Sequence, residues 1–98
     1  MHSLFVPSQK AEEMVTYMAE LLRKRRDALD ASLSALSVTS DLDRAALKRA
    51  ETCERVPSIG FWIDWADSLG LSLEEIILEA RKKAKKKAGE PPERRKLL

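Results

Sequence analysis

The 98-residue chain is predicted to be all-α, a compact five-helix domain. Three observations carry that prediction. Three glycines and four prolines are too few for a chain built on tight turns, and no stretch shows persuasive strand alternation. Apolar residues recur instead at helical spacing. Capping residues precede most of the periodic stretches: Ser8, Asp30 or Ser32, Asp43, Ser58 and Ser72.

The elements follow in order. Ser8 precedes KAEEMVTYMAELLRKRRDAL, with Met14, Tyr17 or Met18, Leu21, Leu22 and Ala28 at helical spacing. Glu12 and Glu13 lie early and Arg23, Lys24, Arg25 and Arg26 late, the polarity the helix dipole favours, so helix one is expected over 9–28. Helix two is short, around 32–38, with Leu33 and Leu36 on one face. Asp43 caps helix three, from 44 to about 52, with Leu47 and Ala50 inward and Arg44, Lys48 and Arg49 outward. After the loop CERVP, Ser58 caps IGFWIDWADSL, whose wide apolar face comprises Phe61, Ile63 or Trp62, Trp65, Ala66 and Leu69. Gly70 ends helix four at a position that needs positive φ. Ser72 and Glu75 form a capping box for helix five, which runs from Leu73 to about Ala88 before Gly89 and Pro91-Pro92 stop it. Residues 1–7 are read as an N-terminal arm, 8–80 as the domain and 81–98 as a basic tail, partly helical and then disordered.

Composition narrows function. One domain's length excludes a two-domain enzyme. No apolar run approaches the roughly 20 residues needed to cross a membrane, and the opening MHSLFVPSQK has neither the basic nor the apolar region of a signal peptide. A single cysteine, Cys53, suits a reducing, cytoplasmic setting and is read as an inert small residue rather than a redox switch. The single histidine, His2, lies near the terminus, so no metal site, no cofactor and no catalytic residue is expected, and the chain is not read as an enzyme. The +2 net charge conceals an asymmetry: residues 81–98 carry +7 and residues 1–80 carry −5.

Residues 22–77 resemble the helix-turn-helix domain of the phage repressor and Cro type, also called the xenobiotic-response-element family. The resemblance is carried by PSIGFWIDWADSLGLSLEEII, by Arg26 late in helix one and by Glu51 near the end of helix three. It implies five helices, a structural ion pair between Arg26 and Glu51, and DNA bound through helix three. The chain departs from the family pattern at Leu33, where glutamine is common, at Asp41 in place of the turn glycine, and at Cys53 after helix three. Asp tolerates the left-handed region better than most residues, so the turn is expected to survive.

What the resemblance implies for function is a sequence-specific DNA-binding transcriptional regulator, cytoplasmic and nucleoid-associated, acting as a homodimer on a two-fold site of double-stranded DNA. Matched by position, Arg44, Ala45, Lys48 and Arg49 face the bases, and Lys48 and Arg55 suit phosphates. Asp41 and Asp43 at the start of helix three would repel phosphates. They support the alternative, a protein-interaction module that keeps the fold, no longer reads DNA and binds polyanions through its basic tail. Of Trp62 and Trp65, one is expected in the core, and for the other the alternatives are burial or partial exposure at a partner or dimer surface. Arg23 and Lys24 either flank a DNA backbone or form a solvated helix end.

Overall fold

A computed structural model describes residues 7–89. The elements are α1 (Gln9–Ala28), α2 (Leu33–Ser40), α3 (Arg44–Glu51), α4 (Ile59–Ser68) and α5 (Leu73–Ala88), and the described residues contain no strand. The all-α, five-helix architecture is the one the sequence predicts. Most of the predicted arm, residues 1–6, and the end of the predicted tail, 90–98, lie outside the described residues.

Every helix starts on a capping side chain. Ser8, Ser32, Asp43, Ser58 and Ser72 each accept the backbone N–H three residues on, from Ala11, Ala35, Ala46, Phe61 and Glu75. Such a cap contributes about 1 kcal/mol by satisfying one of the amides a helix start leaves unpaired. At Ser72 the box is reciprocal, because the Ser72 N–H donates to Glu75 Oε1 at 2.8 Å. That backbone hydrogen bond, with the Ser72 hydroxyl, holds the Glu75 carboxyl below its ordinary range.

Every helix also ends on a residue in the left-handed region: Asp30 (φ 57°), Asp41 (62°), Cys53 (62°), Gly70 (77°) and Gly89 (81°). Three of the five carry a side chain there, where L-residues other than Asn and Asp are disfavoured. At the ends of α1, α3 and α4 a second amide reaches back five residues, from Ala31 to Arg26 O, Glu54 to Arg49 O and Leu71 to Ala66 O. These closures satisfy carbonyls that the helices leave free.

The core is aliphatic around one indole pair. Leu22, Leu47 and Trp65 are the largest fully buried side chains, joined by Met14, Met18 and Ala19 from α1, Leu36 from α2, Ala50 from α3, and Leu73, Ile76 and Ala80 from α5. Trp62 stacks on Trp65 with ring centroids 5.1 Å apart, and Phe61 meets Trp65 edge-on at 6.0 Å. Both indoles are buried, which rules out the alternative that one lies partly exposed at a partner or dimer surface. The stack explains it, since two rings one helical turn apart shield each other within a single apolar face. Ile63, the other candidate for that face, points outward. Among the described residues, Trp65 Nε1 has no hydrogen-bond partner.

α1 packs most extensively on α5, and the two run antiparallel: Lys83 Nζ meets Glu20 at 2.7 Å and Lys87 Nζ meets Glu13 at 3.7 Å. Residues 81–88 are therefore part of a packed helix. Ala84 lies against the core, and Lys83 Nζ sits 4.9 Å above the Tyr17 ring centroid. Three smaller expectations are also adjusted. α2 extends to Ser40, Asp30 closes α1 rather than capping α2, and Ala28 is exposed.

Candidate nucleic-acid interface

α3 is built from one side inward and one side outward. Leu47, Ala50 and Glu51 are buried, while Arg44, Ala45, Lys48 and Arg49 are exposed. Alternation at three and four residues over eight positions leaves no other arrangement for a helix lying on the core. Asp43 Oδ2 accepts the Ala46 N–H at 3.0 Å, and Thr52 Oγ1 donates to Lys48 O at 3.0 Å. The short helix is thus held by side chains at both ends.

Charge on α3 divides in an informative way. Lys48 and Arg49 lie in the last turn, where the helix dipole favours cations. Arg44 is the first helical residue, where that field disfavours a cation, so helix stability does not account for it. Among the described residues, no ion pair engages Arg44, Lys48, Arg49 or Arg55. Arg55 is brought to this surface by the chain reversal after α3, its backbone N–H donating to Arg49 O at 3.3 Å. Arg49 and Arg55 together line a groove of about 410 Å³ with Ala46, Ser58 and Phe61. In the sequence Ser58 reads only as the α4 cap, and its place in this groove follows from the fold.

The structure therefore brings Arg44, Ala45, Lys48 and Arg49 to one outward face and sets Arg55 beside Arg49. Asp41 and Asp43 are exposed at the leading end of the same helix. Asp43 is occupied as a cap, and Asp41 supplies the left-handed turn residue.

Behind this face lies the pair that fixes it. Arg26 Nε donates to Glu51 Oε2 at 2.6 Å and Arg26 Nη2 to Glu51 Oε1 at 2.9 Å, a bidentate fork. Arg26 Nη1 donates to Ala31 O at 2.7 Å, so one guanidinium ties α1, the α1–α2 turn and α3. The hydrogen bonds that Arg26 donates to Glu51 raise the Arg26 pKa, against the opposing effect of burial. The Glu51 side chain is 4% exposed and that of Arg26 14%.

Other cations are committed elsewhere. Arg23 pairs with Asp27, and Arg25 Nε donates to Leu69 O at 3.0 Å, joining α1 to the end of α4. Lys82, Lys83 and Lys87 pair with Glu79, Glu20 and Glu13. Part of the basic segment is thus neutralised along α1 and α5. Of its other cations, Arg81, Lys85 and Lys86 lie on α5, and Arg94, Arg95 and Lys96 lie outside the described residues.

No group of three or more His, Cys, Asp or Glu side chains that could hold a metal ion occurs among the described residues, and none of their helices is long and apolar enough to cross a membrane. Comparison of the chain with protein-family models, with curated proteins and with solved structures found no match.

Proposed function

We propose that this chain is a sequence-specific DNA-binding transcriptional regulator that places α3 in the major groove and works as a homodimer on a two-fold site. One observation carries the reading: the outward cations of α3 have no partner within the described fold, and Arg44 stands where the helix itself gains nothing from a cation. The resemblance to repressor and Cro-type domains adds the mode of docking. In this reading Arg44 and Arg49 donate bidentate hydrogen bonds to guanine, each contributing about 1–3 kcal/mol of discrimination. Ala45 lies against a thymine methyl, and Lys48 and Arg55 meet phosphates that set register.

A second reading is favoured by Asp41 and Asp43, two exposed carboxylates at the end of α3 that would approach the phosphates. In it, the same surface binds a protein.

The test is selection of full-length protein against a pool of random duplexes at two salt concentrations. The DNA reading expects enrichment of a two-fold sequence that persists at the higher salt. Arg44→Ala then weakens binding to that sequence far more than to random DNA. Lys48→Ala weakens both alike and lowers the slope of log K against log salt by about 1. Binding that vanishes with salt and enriches no sequence rejects the DNA reading in favour of the protein one.

A further inference from the structure

The start of α1, the end of α3 and the loop before α4 border a cavity of about 330 Å³. Its walls are mainly apolar: Pro7, Ala11 and Val15 at the start of α1, Val56 and Pro57 from the loop, and the buried Trp62 from α4. An apolar cavity of about 150 Å³ suffices to hold a benzene ring. This one therefore has room for an aromatic side chain and part of a neighbour, and it leaves Val56 64% exposed.

The chain itself carries a matching segment at the cavity's edge. Six residues precede Pro7, and Leu4, Phe5 and Val6 among them are consecutive and apolar. Pro7 lines the cavity, so these three are tethered beside it. Ser8, the α1 cap, has extended backbone (φ −67°, ψ 160°). A proline also keeps the residue before it out of the helical region, so α1 does not run on backward through them.

We infer that the Leu4-Phe5-Val6 segment fills this cavity, with the Phe5 ring set among Val15, Val56 and Trp62. Phe5 is two residues from Pro7, within about 7 Å along an extended chain. A second copy's arm or a separate apolar ligand would have to displace a segment whose tether gives it an effective concentration on the order of millimolar or above. Filling the cavity straps the start of α1 to the loop that carries Arg55. This packing is independent of what the outward face of α3 binds.

The test is the nuclear Overhauser spectrum of the full-length chain, with thiol labelling as a second readout. The Phe5 ring protons are expected to show cross-peaks to the Val15 and Val56 methyls of the same chain. Cys53, the single cysteine, also lines the cavity. Its alkylation by iodoacetamide is expected to be faster by about tenfold in Phe5→Ala, because the cavity loses the burial energy of the ring. Phe5→Leu is expected to stay near the wild-type rate. Circular dichroism should give all three chains the same helix content, so that faster labelling reports the cavity and not unfolding. Should Phe5→Ala fail to fold, the wild-type spectrum alone decides. Absence of the ring–methyl cross-peaks, or a Phe5→Ala labelling rate equal to the wild type's, overturns the inference. In a mixture of isotope-labelled and unlabelled chains, cross-peaks that arise only between chains assign the cavity to a second copy's arm and overturn it equally.

Discussion

α1 and α5 on one side and α3 on the other carry cations and treat them in different ways. Along α1 and α5, Arg23, Lys82, Lys83 and Lys87 find carboxylates, Arg25 finds a carbonyl, and Lys83 lies over the Tyr17 ring. Along α3 the cations face away from the core with no partner, and the acidic residue nearest the helix start is used as a cap. Cation count alone therefore says little about where a polyanion would bind. The segment richest in lysine is partly neutralised by its own fold, whereas none of the sparser cations of α3 has an ion pair among the described residues.

The largest test of this contrast lies where the two regions meet. Glu51→Ala leaves the Arg26 guanidinium part-buried and without its fork, and is expected to destabilise the chain by about 3–5 kcal/mol in denaturant titration. An unchanged unfolding midpoint would show that α1 and α3 are held by packing alone. Next comes Gly70→Ala, which forces a side chain into the left-handed region 3.5 Å from Arg25 Nη2. It should cost about 1–2 kcal/mol by calorimetry. Cys53→Gly acts in the opposite direction at the end of α3. Removing the side chain from φ 62° is expected to stabilise by up to about 1 kcal/mol, net of the added freedom of the unfolded chain.

The smallest effect concerns pH. The Lys83 hydrogen bond and charge hold the Glu20 carboxyl below its ordinary value. Its folded pKa is therefore lower than its unfolded one, and the pair's stabilisation is present above the ordinary carboxylate range and lost as pH falls through the folded pKa. Glu20→Gln should flatten the acid side of the melting-temperature profile slightly and leave neutral pH nearly unchanged, because the pair is solvent-exposed. A variant profile that parallels the wild type would remove Glu20 from the charge pairing that distinguishes the α1–α5 region.

Most of this fold is readable from the sequence because its punctuation is local. The caps at Ser8, Ser32, Asp43, Ser58 and Ser72 lie immediately before their helices, and Gly70 marks its own turn. Asp30 and Cys53 are harder to read, since their left-handed backbone is imposed by the closures from Ala31 and Glu54 rather than by residue type. The indole stack is not legible in the sequence, because a spacing of three places two rings on one face without saying whether they shield each other. Lysine density around 81–88 reads as a solvated tail only while α1 is ignored; a 20-residue α1 offers Glu13 and Glu20 along its length. For the candidate interface, period and capping identify the outward residues of α3. The groove shared by Arg49 and Arg55 depends on the path of the loop between α3 and α4, which no spacing encodes.

Local punctuation has a kinetic consequence. Each helix is opened and closed by residues a few positions away, so little of the route to the native state requires distant segments to find one another. The exceptions all start from α1: Arg26 reaches Glu51 across 25 residues, Arg25 reaches Leu69 across 44, and the longest is the α1–α5 seam, where Lys83 reaches Glu20 across 63. Closing that long loop is the slow entropic step for a chain otherwise built from neighbours. Substitutions along the seam should therefore change the folding rate, and those at the short helices mainly the unfolding rate.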